Sequence, residues 1–301
     1  MQASPRFMPE WIALAIVALV DLVWAQQIGF RLLVDLRDVL ILSAPLALLA
    51  AAWKLRATRA ALVLEFFCLT MAGATVLGVM SYLSTASAYG PLWDTRFLAA
   101  DRALGFDWLP IYQWIDARPA VFWLLQVLYA SVVVQALVAA LTLGLRGQQR
   151  DMSELYRVIF ISSVLTCIGA VLFPALSPHK VFEVRGAFLP HMEQLLSHQN
   201  LTFALSELTG VVTFPSFHTV LAMTYGYAFY RAGAFGRAMT VMNGLMLFSI
   251  PFMGGHYLVD VFAGMAVFGV ALVAVKTWSR LRTAGLLTKL SPPLIADEAR
   301  S

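Results

Sequence analysis

The segment ALVLEFFCLTMAGATVLGVMSYL, residues 61–83, carries one charged residue and is apolar on every helical face. Its length matches the roughly 20 residues an α-helix needs to cross the bilayer. A soluble domain has no place for it. Similar apolar stretches recur at 11–29, 38–53, 60–83, 119–145, 156–174, 217–232, 237–253 and 256–278. They do not alternate apolar and polar residues, which excludes the lipid-facing strands of a β-barrel. Composition agrees, since 60% of the 301 residues are hydrophobic and 13% are charged, whereas soluble domains average about 25% charged. The expectation is an all-α, polytopic transmembrane helical bundle of about eight spans. The first span follows Arg6, is long and has no small-residue cleavage site, so it reads as a retained anchor.

Lys and Arg resist translocation and mark the cytoplasmic side. With the N-terminus inside, fourteen of the 21 basic residues fall in inner segments, including Lys54, Arg56 and Arg59 and the group Arg146, Arg150 and Arg157. All five histidines, His179, His191, His198, His218 and His256, then lie in outer connections or at outer helix ends. Two outer connections are long, 84–118 and 175–216, and loops of that length in a compact protein are typically lids or binding elements. The first contains Trp93, Trp108 and Trp114, suited to the headgroup level, which predicts a surface-lying helix. The basic residues form no aromatic-interleaved stripe, so a net charge of +4 gives no case for nucleic acid. Cys68 and Cys167 fall inside spans and read as small buried apolar side chains. Asp21 is expected to pair with a neighbouring helix, Glu65 to reach water at a cytoplasmic helix end, and His179, His191 and His198 to be solvent-exposed.

Two short motifs carry the polar chemistry. In Thr213-Phe-Pro-Ser-Phe-His-Thr219, Pro215 and Ser216 open a helix whose free N–H groups and dipole favour an anion, and His218 sits in its first turn. In Gly254-Gly-His-Tyr-Leu-Val-Asp260, His256 and Asp260 are i and i+4 and share one helix face. A carboxylate one turn from an imidazole can hold its N–H and leave the other nitrogen free to attack or ligate. The arrangement predicts two imidazoles converging on a phosphate. It also leaves open a metal site built from His218, His256 and Asp260, and a transporter or lipid-binding protein without catalysis.

FPSFHT and GGHYLVDVFAG resemble the second and third signature motifs of the type-2 phosphatidic acid phosphatase superfamily. LGFDW and the FP-x-x-x-P pattern of Leu172-Phe-Pro-Ala-Leu-Ser-Pro178 are similar to the branch that holds inositol phosphorylceramide synthases. The resemblance covers roughly 90–275. It implies a six-helix catalytic core and metal-independent, cofactor-free phosphoryl transfer on membrane lipids that carry phosphate, from the periplasmic side of a bacterial inner membrane. His256 would attack phosphorus, Asp260 orient it, and His218 protonate the leaving oxygen, while Ser216 holds phosphoryl oxygens. The chain departs from the phosphatases at Phe217, where they carry glycine, and at Ser249-Ile250, where they carry Ser-Arg; the first motif, a lysine followed by Arg-Pro, is absent. Lys180, and after it Arg185, are the expected substitutes for the missing phosphate-binding cations. The implied organisation is N-terminal spans over 1–83, a catalytic membrane domain over 84–280 and a flexible cytoplasmic tail over 281–301.

Overall fold

The computed structural model describes residues 6–230 and 233–283. The expected tail falls almost wholly outside them. Twelve helices follow in order: α1 (Met8–Ile28), α2 (Leu36–Lys54), α3 (Thr58–Ala86), α4 (Asp94–Ala103), α5 (Trp108–Asp116), α6 (Pro119–Leu145), α7 (Gln149–Leu172), α8 (Pro178–Val181), α9 (Leu189–Leu196), α10 (Phe217–Phe229), α11 (Gly233–Met253) and α12 (Leu258–Thr283). Six of them, α1, α2, α3, α6, α7 and α12, are long and apolar enough to cross a membrane. The two other apolar stretches form α10, only 13 residues long, and α11, which contains Pro251.

Apolar side chains cover the outside of the bundle as well as its core. Leu22, Val133 and Val273 are among many that stay exposed, as expected where lipid replaces water. Helix α3 packs against α1, α2, α6 and α7, and α10 packs against α6, α7, α11 and α12. The core between them is filled by Phe66, Leu69, Met152, Tyr156, Tyr225 and Met246.

The connections 29–35, 87–118, 173–216 and 254–257 collect on one face. There the fold adds a feature that helical periodicity does not announce. Arg31–Leu33 forms a strand, β1, that pairs in parallel with β2, Thr202–Ala204, in the register Arg31↔Thr202. This ladder ties the α1–α2 connection to the long segment 173–216. Tyr82 near the end of α3 holds the same segment, its hydroxyl accepting from the Thr209 N–H at 3.0 Å and meeting His191 Nδ1 at 2.6 Å. His191 is therefore hydrogen-bonded and half-buried rather than free in solvent, while His198 is exposed as expected.

Other expectations need correcting. The predicted surface helix is two helices, α4 and α5, with Gly105 between them at φ +76°. Trp108 is completely buried and donates its Nε1–H to the Pro251 carbonyl at 2.9 Å, so it anchors α5 to α11 instead of presenting its ring outward. Glu65 is buried and accepts from the N–H groups of Arg6 at 2.6 Å and Phe7 at 3.1 Å, satisfying donors at the start of α1. Asp21 is buried, and its carboxylate has no hydrogen-bond partner among the described residues.

Candidate active site

The start of α10 and the start of α12 lie side by side. Ser216 caps α10, its Oγ accepting from the Thr219 N–H at 3.4 Å, while its own N–H donates to the Asp260 carbonyl at 3.0 Å. The approach is possible because residue 264 is glycine. A Cβ there would stand 2.5 Å from the Ser216 carbonyl oxygen and 2.8 Å from Thr219 Cβ. Ser216 is fully buried, and its side chain forms no part of the cavity wall described below. Its hydroxyl and N–H close the junction between the two helix starts.

His256 sits in the turn between α11 and α12. Gly255 precedes it at φ +64°, and a Cβ at that position would meet Ser177 Oγ at 2.5 Å. The turn is buttressed by an outer helix. Asp101 of α4 accepts from the N–H groups of Leu258 at 2.8 Å and Val259 at 3.0 Å, capping α12 from outside it. Asp94 accepts from the Ser177 N–H and the Tyr257 hydroxyl, both at 2.8 Å, and Ser177 donates its hydroxyl to the Gly255 carbonyl at 2.7 Å.

The His256 ring is buried, with Nδ1 2.9 Å from the Thr213 carbonyl oxygen and 3.4 Å from Asp260 Oδ2. A carbonyl only accepts, so Nδ1 carries the proton and Nε2 keeps its lone pair. The nearer partner is thus a backbone carbonyl, with the carboxylate behind it. Asp260 Oδ2 also accepts from the Tyr257 N–H at 2.8 Å. Burial pushes the His256 imidazole down to about 4, against a smaller upward pull from the Thr213 carbonyl.

His218 reaches the same space from α10. Its ring stacks on Tyr129 of α6 at 4.2 Å between centroids and 17° between planes, and the Tyr129 hydroxyl is 3.2 Å from Nδ1. His218 and His256 both line one cavity of about 470 Å³, together with Tyr129, Thr213, His179 and Arg185. Arg185 is the one cation on that wall, and it makes no ion pair among the described residues. Lys180, the first expectation, turns instead to Glu193 at 2.5 Å, which raises its pKa, and lines an adjacent outer groove with Arg185 and Glu183.

His179 was expected in solvent. It is 4% exposed, its Nε2 is 2.9 Å from the Phe252 carbonyl, and Trp108 and Phe188 flank the ring. Nε2 therefore holds the proton and Nδ1 is a lone-pair acceptor, without a hydrogen-bond partner among the described residues. Burial lowers its pKa, and the neighbouring His256 lowers it further. Among the described residues no three His, Cys, Asp or Glu side chains are grouped to hold a metal ion, so the facial set of His218, His256 and Asp260 is not formed.

Fold and site define a polytopic helical membrane protein whose polar groups converge from two helix starts and an outer connection on one cavity. A family model described as the PAP2 superfamily matches residues 95–274, well over half of the chain, and the protein belongs to that superfamily. Its members are phosphatases and phosphotransferases, which makes this chain a membrane protein of phosphatase type. No curated protein and no solved structure matches the chain.

Proposed function

We propose that the protein is a lipid phosphatase or head-group phosphotransferase, similar to inositol phosphorylceramide synthases, acting at the outer leaflet through a phosphohistidine intermediate. The observation that carries this reading is the single cavity walled by His218, His256 and Arg185. His256 Nε2 attacks phosphorus as the bond to the leaving oxygen breaks, and that oxygen takes its proton from His218. Thr213 and Asp260 hold the positive ring that forms, and Arg185 draws the phosphoryl oxygens. Water or an alcohol then attacks phosphorus and gives its proton to His218. The P–N bond breaks and His256 is restored. The twofold excess of basic residues on the opposite face supports an extracytoplasmic site, in a bacterium the periplasmic side of the inner membrane.

The purified full chain is assayed in vesicles containing phosphatidic acid or phosphatidylinositol, with a chelator present. Turnover is expected, and His256→Ala or His218→Ala abolishes it. Retained turnover in both variants refutes the assignment. Lipid export that survives His256→Ala, with no phosphoryl transfer from any vesicle, supports a transporter. Mass spectrometry of membrane lipids with and without the protein identifies the donor.

A further inference from the structure

A second cavity, of about 400 Å³, lies within the bundle between α3, α7 and α10. Leu77 and Gly78 of α3, Ile159 and Cys167 of α7, and Leu221 and Tyr225 of α10 stand on its wall, and no charged residue does. It adjoins the histidine cavity. Thr209, Gly210, Val212 and His218 line both spaces. We infer that this chamber holds a hydrocarbon chain of the phosphorylated lipid whose head group lies between His218 and His256, which makes the substrate an amphiphile drawn into the bundle. The inference rests on the function proposed above.

Size and chemistry support that occupant. The volume falls in the range of ligand sites, about 300–1,000 Å³. The α3 residues on the wall run from Phe66 to Ser81, a helical rise of about 22 Å at about 1.5 Å per residue. One leaflet of hydrocarbon is about 15 Å thick, half of the bilayer core, so a chain of ordinary lipid length fits. Helix α3 precedes the matched residues 95–274, so a helix outside the matched region contributes a wall of the chamber.

The chamber can be filled from the inside. Gly78 lines the chamber and a Cβ there meets nothing within 4 Å, so Gly78→Phe is expected to direct its ring into the open space. The probe is dodecyl phosphate with a diazirine near the chain end, photolysed with the full chain in nanodiscs. Label is expected on α3 and α7 residues of the chamber wall, reduced at least tenfold in Gly78→Phe or, should that variant not fold, in Gly78→Leu. KM for dodecyl phosphate rises about tenfold in the same variant, while turnover of a short water-soluble phosphate ester stays within twofold. Labelling is repeated in His256→Ala. A labelled chamber in a wild-type protein that turns over neither vesicle lipids nor dodecyl phosphate supports chain binding and sinks the enzymatic reading alone. Label confined to outward-facing residues, or unaffected by filling residue 78, overturns the chamber while leaving a phosphatase intact.

Discussion

Gly264→Ala is the sharpest perturbation of the candidate site that leaves every polar group in place. Glycine at this position lets α12 lie directly against the start of α10. The new Cβ would stand 2.5 Å from the Ser216 carbonyl oxygen and 2.8 Å from Thr219 Cβ. Ordinary contact between carbons is about 3.5–4.0 Å, so the helix starts must separate by about 1 Å. The nearer clash is with backbone, which no rotamer change relieves. Overpacking of this kind costs about 1–3 kcal/mol. The shift also reaches the catalytic groups, because His218 lies two residues beyond Ser216, Asp260 lies one turn before the contact on α12, and His256 lies in the turn that leads into that helix. A misplacement of about 1 Å can cost roughly 10²-fold in rate. The expected result in the vesicle assay is a kcat lowered about 10²-fold in a protein that remains folded and monodisperse. Gly269→Ala, five residues further along the same helix, is the control, because its Cβ meets nothing within 4 Å; its kcat should equal that of wild type. Equal activity in the two variants would refute the claim that close packing of α10 on α12 aligns the histidines.

Three further outcomes follow from the site geometry. Asp260→Asn should leave KM unchanged and slow kcat by roughly 10²–10³-fold, short of the complete loss in His256→Ala: the Thr213 carbonyl still fixes the tautomer, and the missing charge at 3.4 Å is worth at most about 5 kcal/mol at an effective dielectric near 20. A loss equal to that of His256→Ala would return the tautomer role to the carboxylate. Arg185→Ala should raise KM for a phosphate ester about tenfold, the scale of one charge-assisted hydrogen bond, whereas Lys180→Ala, which breaks only the exposed pair with Glu193, should change it less than twofold. With a phosphodiester substrate, kcat/KM should rise with pH through an acid limb near 4, because burial keeps the His256 nucleophile neutral down to that pH; a midpoint near 6.5 would contradict the buried ring.

What the sequence determined by itself was local and periodic. Apolar runs of about 20 residues with at most an isolated charge read as membrane-spanning helices, which is why an all-α bundle was legible from segments such as 61–83. The i, i+4 spacing put His256 and Asp260 on one turn, because helical geometry alone decides which residues share a face. Ser216 as a cap was legible for the same reason, and its hydroxyl does accept from the Thr219 N–H at the start of α10.

Only the tertiary structure decided the partners that come from far along the chain. Thr213 holds His256 from 43 residues away, and Tyr129 holds His218 from 89. Asp101 caps α12 across 157 residues. No periodicity encodes such distances. The exchange of Lys180 for Arg185, and the burial of His179, depend on how the outer connection folds back over the bundle, tied by Asp94, Tyr82 and the β1–β2 ladder. A loop's charges look alike in sequence, and it is packing against distant helices that separates a cation on a cavity wall from one spent on a neighbouring carboxylate.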